Sequence, residues 1–185
     1  MYTLYWCPDT GAFAPHAALE EAGAAYELRD IDTQTGAHRT AAYLAVNPRG
    51  QVPALRLPDG TVIGESAAMV LHIADAHPAA GLLPPPGDSA RAQAYRWLFF
   101  CVANIYEADL RYYYADRYTD DAGGRDGVRA AAARQMRESF ALIERALDPG
   151  PYLLGDRYSV VDVYLLMLAG WASTAEVTAG CPRLK

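Results

Sequence analysis

Asn47-Pro48-Arg49-Gly50-Gln51-Val52-Pro53-Ala54-Leu55, followed one turn later by Gly64-Glu65-Ser66-Ala67-Ala68-Met69-Val70, is the stretch from which the rest of the chain can be read. It reads as turn, short strand, hairpin, second short strand and helix start. Pro53 follows an apolar residue at a strand entrance, where a trans proline would deny the sheet a donor, so a cis Val52–Pro53 bond is expected. That turn would leave the Val52 N–H and C=O free to pair with an extended peptide, as an added strand does. Leu57-Pro58-Asp59-Gly60-Thr61 is a tight-turn sequence between two apolar runs, so its flanking strands should be antiparallel neighbours. Glu65 and Ser66 then open a helix. Its free N–H groups and positive dipole end attract a carboxylate, while Glu65 offers the opposite charge to an ammonium.

A peptide that ends in both a carboxylate and an amine fits this constellation, and gamma-glutamyl-cysteinyl-glycine, glutathione, is such a molecule. Here the chain resembles the soluble glutathione S-transferases. The run from Asn47 to Leu55 and the Glu65-Ser66-Ala-Ala segment are close to that family's glutathione-site motifs in residue type and spacing. The resemblance implies an α/β thioredoxin-like domain at the N-terminus and an all-α helical domain at the C-terminus. It also implies that Val52 and Pro53 hold the cysteinyl backbone, and Glu65 and Ser66 the gamma-glutamyl end. Gln51 and either His38 or Arg39, a basic pair after the second strand, would take the remaining polar groups.

Composition bounds the partners. The chain has 185 residues, a formal charge of −6 and 52% hydrophobic residues, which is ample core for a globular protein of one large or two small domains. Its acidity argues against nucleic acid or an anionic membrane as the main partner. The three cysteines, Cys7, Cys101 and Cys181, are odd in number and far apart, so a reducing compartment is expected. Tyr2 to Trp6 is too short for a signal peptide or a membrane span, and a cytoplasmic location follows as the default. The four histidines, His16, His38, His72 and His77, show no metal-ligand spacing, so no metal is expected.

In chain order, Tyr2–Trp6 is a first strand, about Ala12 to Ala22 a helix, and Ala25–Ile31 an alternating second strand, which together suggest a parallel strand–helix–strand unit. Arg39 to Val46 reads as a short helix, and the organising stretch supplies an antiparallel pair and a helix through Ala76. The thioredoxin-like domain is thus placed at residues 1–77. A linker at 78–87 contains Pro84-Pro85-Pro86-Gly87, and a helical domain follows at 88–185. In that domain Ser89 to about Tyr118 reads as one long helix, apolar over more than one face, which suggests burial by its own bundle and by a second subunit of a homodimer. Asp126 to Leu147 is an amphipathic helix. Ser159 and Asp162 form a capping box at an almost wholly apolar helix running from Val160 to Trp171, another feature resembling the family. The chain ends at Lys185, where members of the family continue into another helix.

Glutathione transfer requires a donor that stabilises the thiolate near neutral pH, and it belongs at the first strand–helix turn. The bacterial beta class, which the chain resembles most, uses a cysteine there. Aligning Tyr5, Ala14 and His16 puts Gly11 or Thr10 at the cysteine position, so the expected thiol is missing. Thr10 could supply a hydroxyl or simply cap the first helix. Tyr5 could serve as the catalytic tyrosine of other subclasses does, or as a core aromatic. Cys7 could form a mixed disulfide with glutathione, or be a small buried hydrophobe. The backbone N–H groups of Thr10 to Ala12 could also hold the thiolate. Tyr106 falls where beta-class members carry a histidine on the substrate side, and could bond the thiol or pack. The resemblance implies a detoxifying transferase that joins glutathione to a small hydrophobic electrophile. Alternatives are a non-catalytic binder of glutathione or hydrophobic ligands, and a glutathione-dependent thiol-disulfide oxidoreductase.

Overall fold

In the computed structural model, which describes residues 1–171 and 174–184, the chain forms two compact units, Met1–Pro85 and Pro86–Lys185. Lys185 itself lies outside the described residues. The first unit contains β1 (Tyr2–Trp6), α1 (Phe13–Glu21), β2 (Tyr26–Asp30), α2 (Ala41–Leu44), β3 (Ala54–Arg56), β4 (Val62–Ile63) and α3 (Ser66–Ala76). The sheet order is β2-β1-β3-β4. β1 and β2 are parallel, with Leu4 opposite Leu28, because α1 returns the chain between them. β1–β3 and β3–β4 are antiparallel, and the tight turn before β4 is closed by bonds between Leu57 and Thr61 and from the Gly60 N–H to the Leu57 carbonyl.

Strand alternation sends neighbouring residues to opposite faces. Leu4 and Leu55, paired across β1 and β3, are fully buried. The next pair, Tyr5 and Ala54, turns the other way and meets Tyr43 of α2, with Ile31, Val46, Val52 and Val62 packed around them. α1 packs on α3.

The Arg39–Val46 segment is divided rather than one helix. A 3₁₀ turn at Ala37–Arg39 ends at Thr40, whose extended backbone (φ −69°, ψ 152°) breaks the helical run. The Thr40 hydroxyl donates to the Ala37 carbonyl and accepts from the Tyr43 N–H, so one residue closes the first turn and caps α2.

The second unit is helical: α4 (Ser89–Phe100), α5 (Glu107–Tyr113), α6 (Arg125–Ala146), α7 (Val160–Ala169) and α8 (Thr174–Val177). The long helix expected from Ser89 to Tyr118 departs from regular α geometry in its middle and stops five residues early. Cys101–Tyr106 between α4 and α5 is a π-turn, in which the Glu107 N–H reaches back five residues to the Val102 carbonyl. The Asn104 amide donates to the Phe100 carbonyl (3.2 Å). Gln135 of α6 donates to the Asn104 carbonyl (3.1 Å) and accepts from Arg111 (3.2 Å), so the widened turn is tied to its neighbouring helix. After Tyr113 the chain tightens into a 3₁₀ turn at Ala115–Arg117.

α7 begins at the Ser159–Asp162 capping box. Val160, Val161, Val163, Tyr164, Leu165, Met167 and Leu168 are all buried, each worth roughly 1.5–3 kcal/mol relative to exposure, which makes α7 the centre of this unit's core.

Burial at this core has a pH consequence. Cys101 is fully buried, and burial, with the Asp162 charge adding, pushes its thiol up to about 12. In the unfolded chain a thiol ionises near about 8.5. The stability this group contributes is therefore complete below that value and declines as pH rises toward 12. Urea midpoints measured from pH 7 to 11 should fall above about pH 8.5, and Cys101→Ala should flatten the first part of that fall. Parallel curves for both proteins would show that the thiol is not the cause.

Candidate glutathione site

The turn leading into β3 is assembled around one carbonyl. The Gln51 C=O accepts from the Tyr43 hydroxyl (2.7 Å) and from the Asn47 amide (2.7 Å). Asn47 also accepts from the Arg49 N–H through its side chain (3.2 Å) and from the Gly50 N–H through its carbonyl (2.8 Å). Tyr43 is buried, and that burial pushes its phenol up to about 12, so it remains a donor at any physiological pH. Gly50 adopts φ +59°, a conformation that favours glycine, with Arg39, His38 and Leu44 close on the side where a Cβ would stand.

Gln51 is thus anchored, and Val52 follows it. The Val52–Pro53 peptide is cis. The Val52 side chain packs against the Tyr5–Tyr43–Ala54 cluster, while its N–H and C=O have no hydrogen-bond partner among the described residues. An unpaired main-chain donor and acceptor on one residue at a strand entrance can accept a peptide in the manner of an added strand.

Glu65 caps α3 with φ +61°, and its carbonyl receives the Met69 N–H (3.1 Å). Its side chain is exposed and lies 3.9 Å from the Arg49 guanidinium. Ser66 is the first residue of α3 and is buried. Gln51, Val52, Pro53, Glu65 and Ser66 therefore come from two adjoining chain segments linked by the β3–β4 hairpin. On the other side of the turn, Arg39 donates to the Arg49 carbonyl (3.4 Å), and the buried Nδ1 of His38 has no partner among the described residues. The tight packing of Gly50 against His38 and Arg39 brings this basic pair to the same turn.

The first strand–helix turn is organised differently. The Thr10 hydroxyl donates to the Cys7 carbonyl (2.7 Å) and accepts from the Ala12 N–H (3.3 Å), so its proton is engaged within the loop. The Gly11 N–H has no partner among the described residues, while Cys7 to Thr10 form a closed turn. The Cys7 sulfur is 3.6 Å from the Thr33 hydroxyl and partly exposed. Tyr5 is buried, meets Tyr43 edge to face and accepts from Arg56 (3.2 Å), which is the setting of a core aromatic. Tyr106, in the helical unit, packs between the rings of Tyr164 and Trp171. Tyr43, Asn47 and Arg49 also build this turn, in roles that spacing alone does not assign to them. Tyr43 and Asn47 carry a signal of their own, an aromatic and an amide one helical turn apart just before the proline turn.

Residues 12–76 match the family model described as glutathione S-transferase, N-terminal domain, and residues 126–185 match the C-terminal domain of the same family. A crystal structure of a glutathione transferase homolog from Sulfitobacter with bound glutathione superposes with a TM-score of 0.90 at 30% identity, covering 100% of this chain and 88% of that one. The chain belongs to the glutathione S-transferase family. Among curated relatives, glutathione S-transferase GstA of Escherichia coli O157:H7 is 29% identical over 91% of this chain and 81% of its own length. Maleylacetoacetate isomerase of Rhizobium meliloti is 31% identical over 97% and 85%. The fold is that of a glutathione S-transferase in both units. No helix among the described residues is long and apolar enough to cross a membrane, and none of their His, Cys, Asp and Glu side chains form a group able to hold a metal ion.

Proposed function

We propose that this glutathione S-transferase binds glutathione along the Gln51–Pro53 turn and transfers its thiolate to a small hydrophobic electrophile. The observation that carries the binding half is the unpaired main chain of Val52 in the turn whose Arg49 lies 3.9 Å from Glu65, the residue that caps α3. Val52 pairs with the cysteinyl backbone, Glu65 takes the gamma-glutamyl ammonium, and Ser66 with the first N–H groups of α3 takes its carboxylate. Gln51 and His38 or Arg39 meet the glycyl end. The thiolate then attacks an electrophilic carbon, forming a C–S bond while the displaced group, or the far atom of an activated double bond, takes the electron pair.

In this reading the thiolate donor is the Thr10–Gly11 segment. Its unpaired Gly11 N–H points to electrostatic stabilisation by the main chain, and the Thr10 hydroxyl joins it if it rotates off the Cys7 carbonyl. Tyr106 serves on the acceptor side, and a homodimer in the cytoplasm is the working form. That engaged Thr10 proton favours a second reading, a binder of glutathione that does not turn it over.

Glutathione titrated into the protein from pH 5 to 9, followed by thiolate absorbance, separates the two. A transferase should show the thiolate at least about one unit below the ordinary thiol value near 8.5. With main-chain donors dominant, Thr10→Val should move that value by less than half of the total shift. Saturable binding without thiolate supports the second reading, and no binding removes both.

A further inference from the structure

The contact between Arg49 and Glu65 is poorly suited to holding the fold. Both side chains are exposed, at 70% and 72%, and the 3.9 Å separation is too long for a hydrogen bond. Exposed pairs of this kind contribute only about 0–1 kcal/mol. Yet Arg49 is fixed at its base with care. Its N–H is held by the Asn47 side chain (3.2 Å), its C=O by Arg39 (3.4 Å), and its Nε by the Gln51 side-chain oxygen (2.9 Å). A single guanidinium edge is therefore committed, and the terminal nitrogens, next to a carboxylate they do not bond, keep donors to spare.

An α-amino acid head carries its ammonium and carboxylate on one carbon. A guanidinium and a carboxylate side by side, about 4 Å apart and neither saturated, present the opposite order of charge. We infer that Arg49 is a ligand-reading residue: its terminal nitrogens take the α-carboxylate of the gamma-glutamyl head while Glu65 takes the ammonium, so that the pair selects a zwitterion. This rests on the glutathione reading above and adds to it the group that recognises that carboxylate beside Ser66 and the helix N-terminus. Planar, fork-shaped donors make arginine better suited to this than lysine. The neighbouring Gln51 contact sets the direction of the fork.

Calorimetric titration tests it with two peptides, glutathione and 4-aminobutanoyl-cysteinyl-glycine, which lacks only the α-carboxylate. Arg49→Gln should weaken glutathione binding roughly tenfold to a hundredfold, the range for a hydrogen bond to a charged group. Binding of the decarboxylated peptide should stay within about twofold. Arg49→Lys should recover part of the glutathione affinity, and all three proteins should share one circular dichroism spectrum, since the replaced side chain is exposed. Equal losses for both peptides would mean that Arg49 only props Gln51, and no loss would mean that it touches neither; either result overturns the proposal. Failure of the unmodified protein to bind glutathione would instead remove the site reading on which the proposal stands, and the proposal with it.

Discussion

Asp162→Ala should lower the unfolding free energy by about 3–5 kcal/mol, a large part of the roughly 5–15 kcal/mol that holds a typical domain. The carboxylate accepts from the Leu153 N–H (2.9 Å), the Ser159 N–H (2.9 Å) and the Ser159 hydroxyl (3.1 Å). Ser159 is fully buried and Leu153 nearly so, so water cannot replace the lost acceptor for most of these donors. Burial also raises the Asp162 carboxyl above the ordinary carboxylate range, outweighing the hydrogen bonds that favour its ionised form. The residue therefore joins the Leu153 loop and the start of the most buried helix in the second unit. Urea denaturation is the direct measurement, with Asp162→Asn as a companion that retains one acceptor and should lose about half as much. A loss below about 1 kcal/mol for alanine would reduce the capping box to an ordinary surface cap.

Gly50→Ala should cost about 2–4 kcal/mol of stability and, in the variant that still folds, weaken glutathione binding more than about tenfold. The backbone alone resists at φ +59°, and a Cβ would also stand 3.0 Å from the His38 carbonyl oxygen and the Arg39 guanidinium, and 3.1 Å from a Leu44 methyl. A carbonyl cannot swing aside as a flexible side chain can, so the strain passes into the turn that orients Gln51 and Val52. Gly60 provides the control. It has φ +92° but nothing within 4 Å of its Cβ position, so Gly60→Ala should cost only the backbone term, about 1–2 kcal/mol, and leave binding unchanged. Similar binding losses for the two variants would show that the packing at Gly50 does not govern the site.

These two positions also show what can be read from a sequence. The capping box and the Asn47–Val70 stretch are legible because their chemistry is local: a proline, a turn glycine and a capping side chain constrain residues within four positions of themselves. The expectation of two domains rests on the change of pattern after the proline-rich segment. The long helix misleads because Trp97, Leu98, Phe99 and Phe100 make it apolar over more than one face, which blurs the phase from which a widened turn could be noticed. Thr40 hides similarly, since a threonine inside an alanine-rich run gives no hint that its backbone is extended. The direction of the Thr10 proton depends on the path of the Cys7 carbonyl, and the neighbourhood of Arg49 depends on a hairpin that returns Glu65 to it. Neither is encoded in spacing.

The widened turn at Cys101–Tyr106 bears on how such a chain can change length. A π-turn is equivalent to a regular helix with one residue inserted, and the insertion is absorbed locally instead of rotating everything downstream by about 100°. Removing a single residue there would let Ser89–Phe100 and Glu107–Tyr113 close into one continuous helix, each flank still presenting its present face to α6 and α7. Anywhere else in those two segments, the same deletion would turn the buried side chains toward water. Among single-residue losses, natural variation in this helix should therefore concentrate within those six positions.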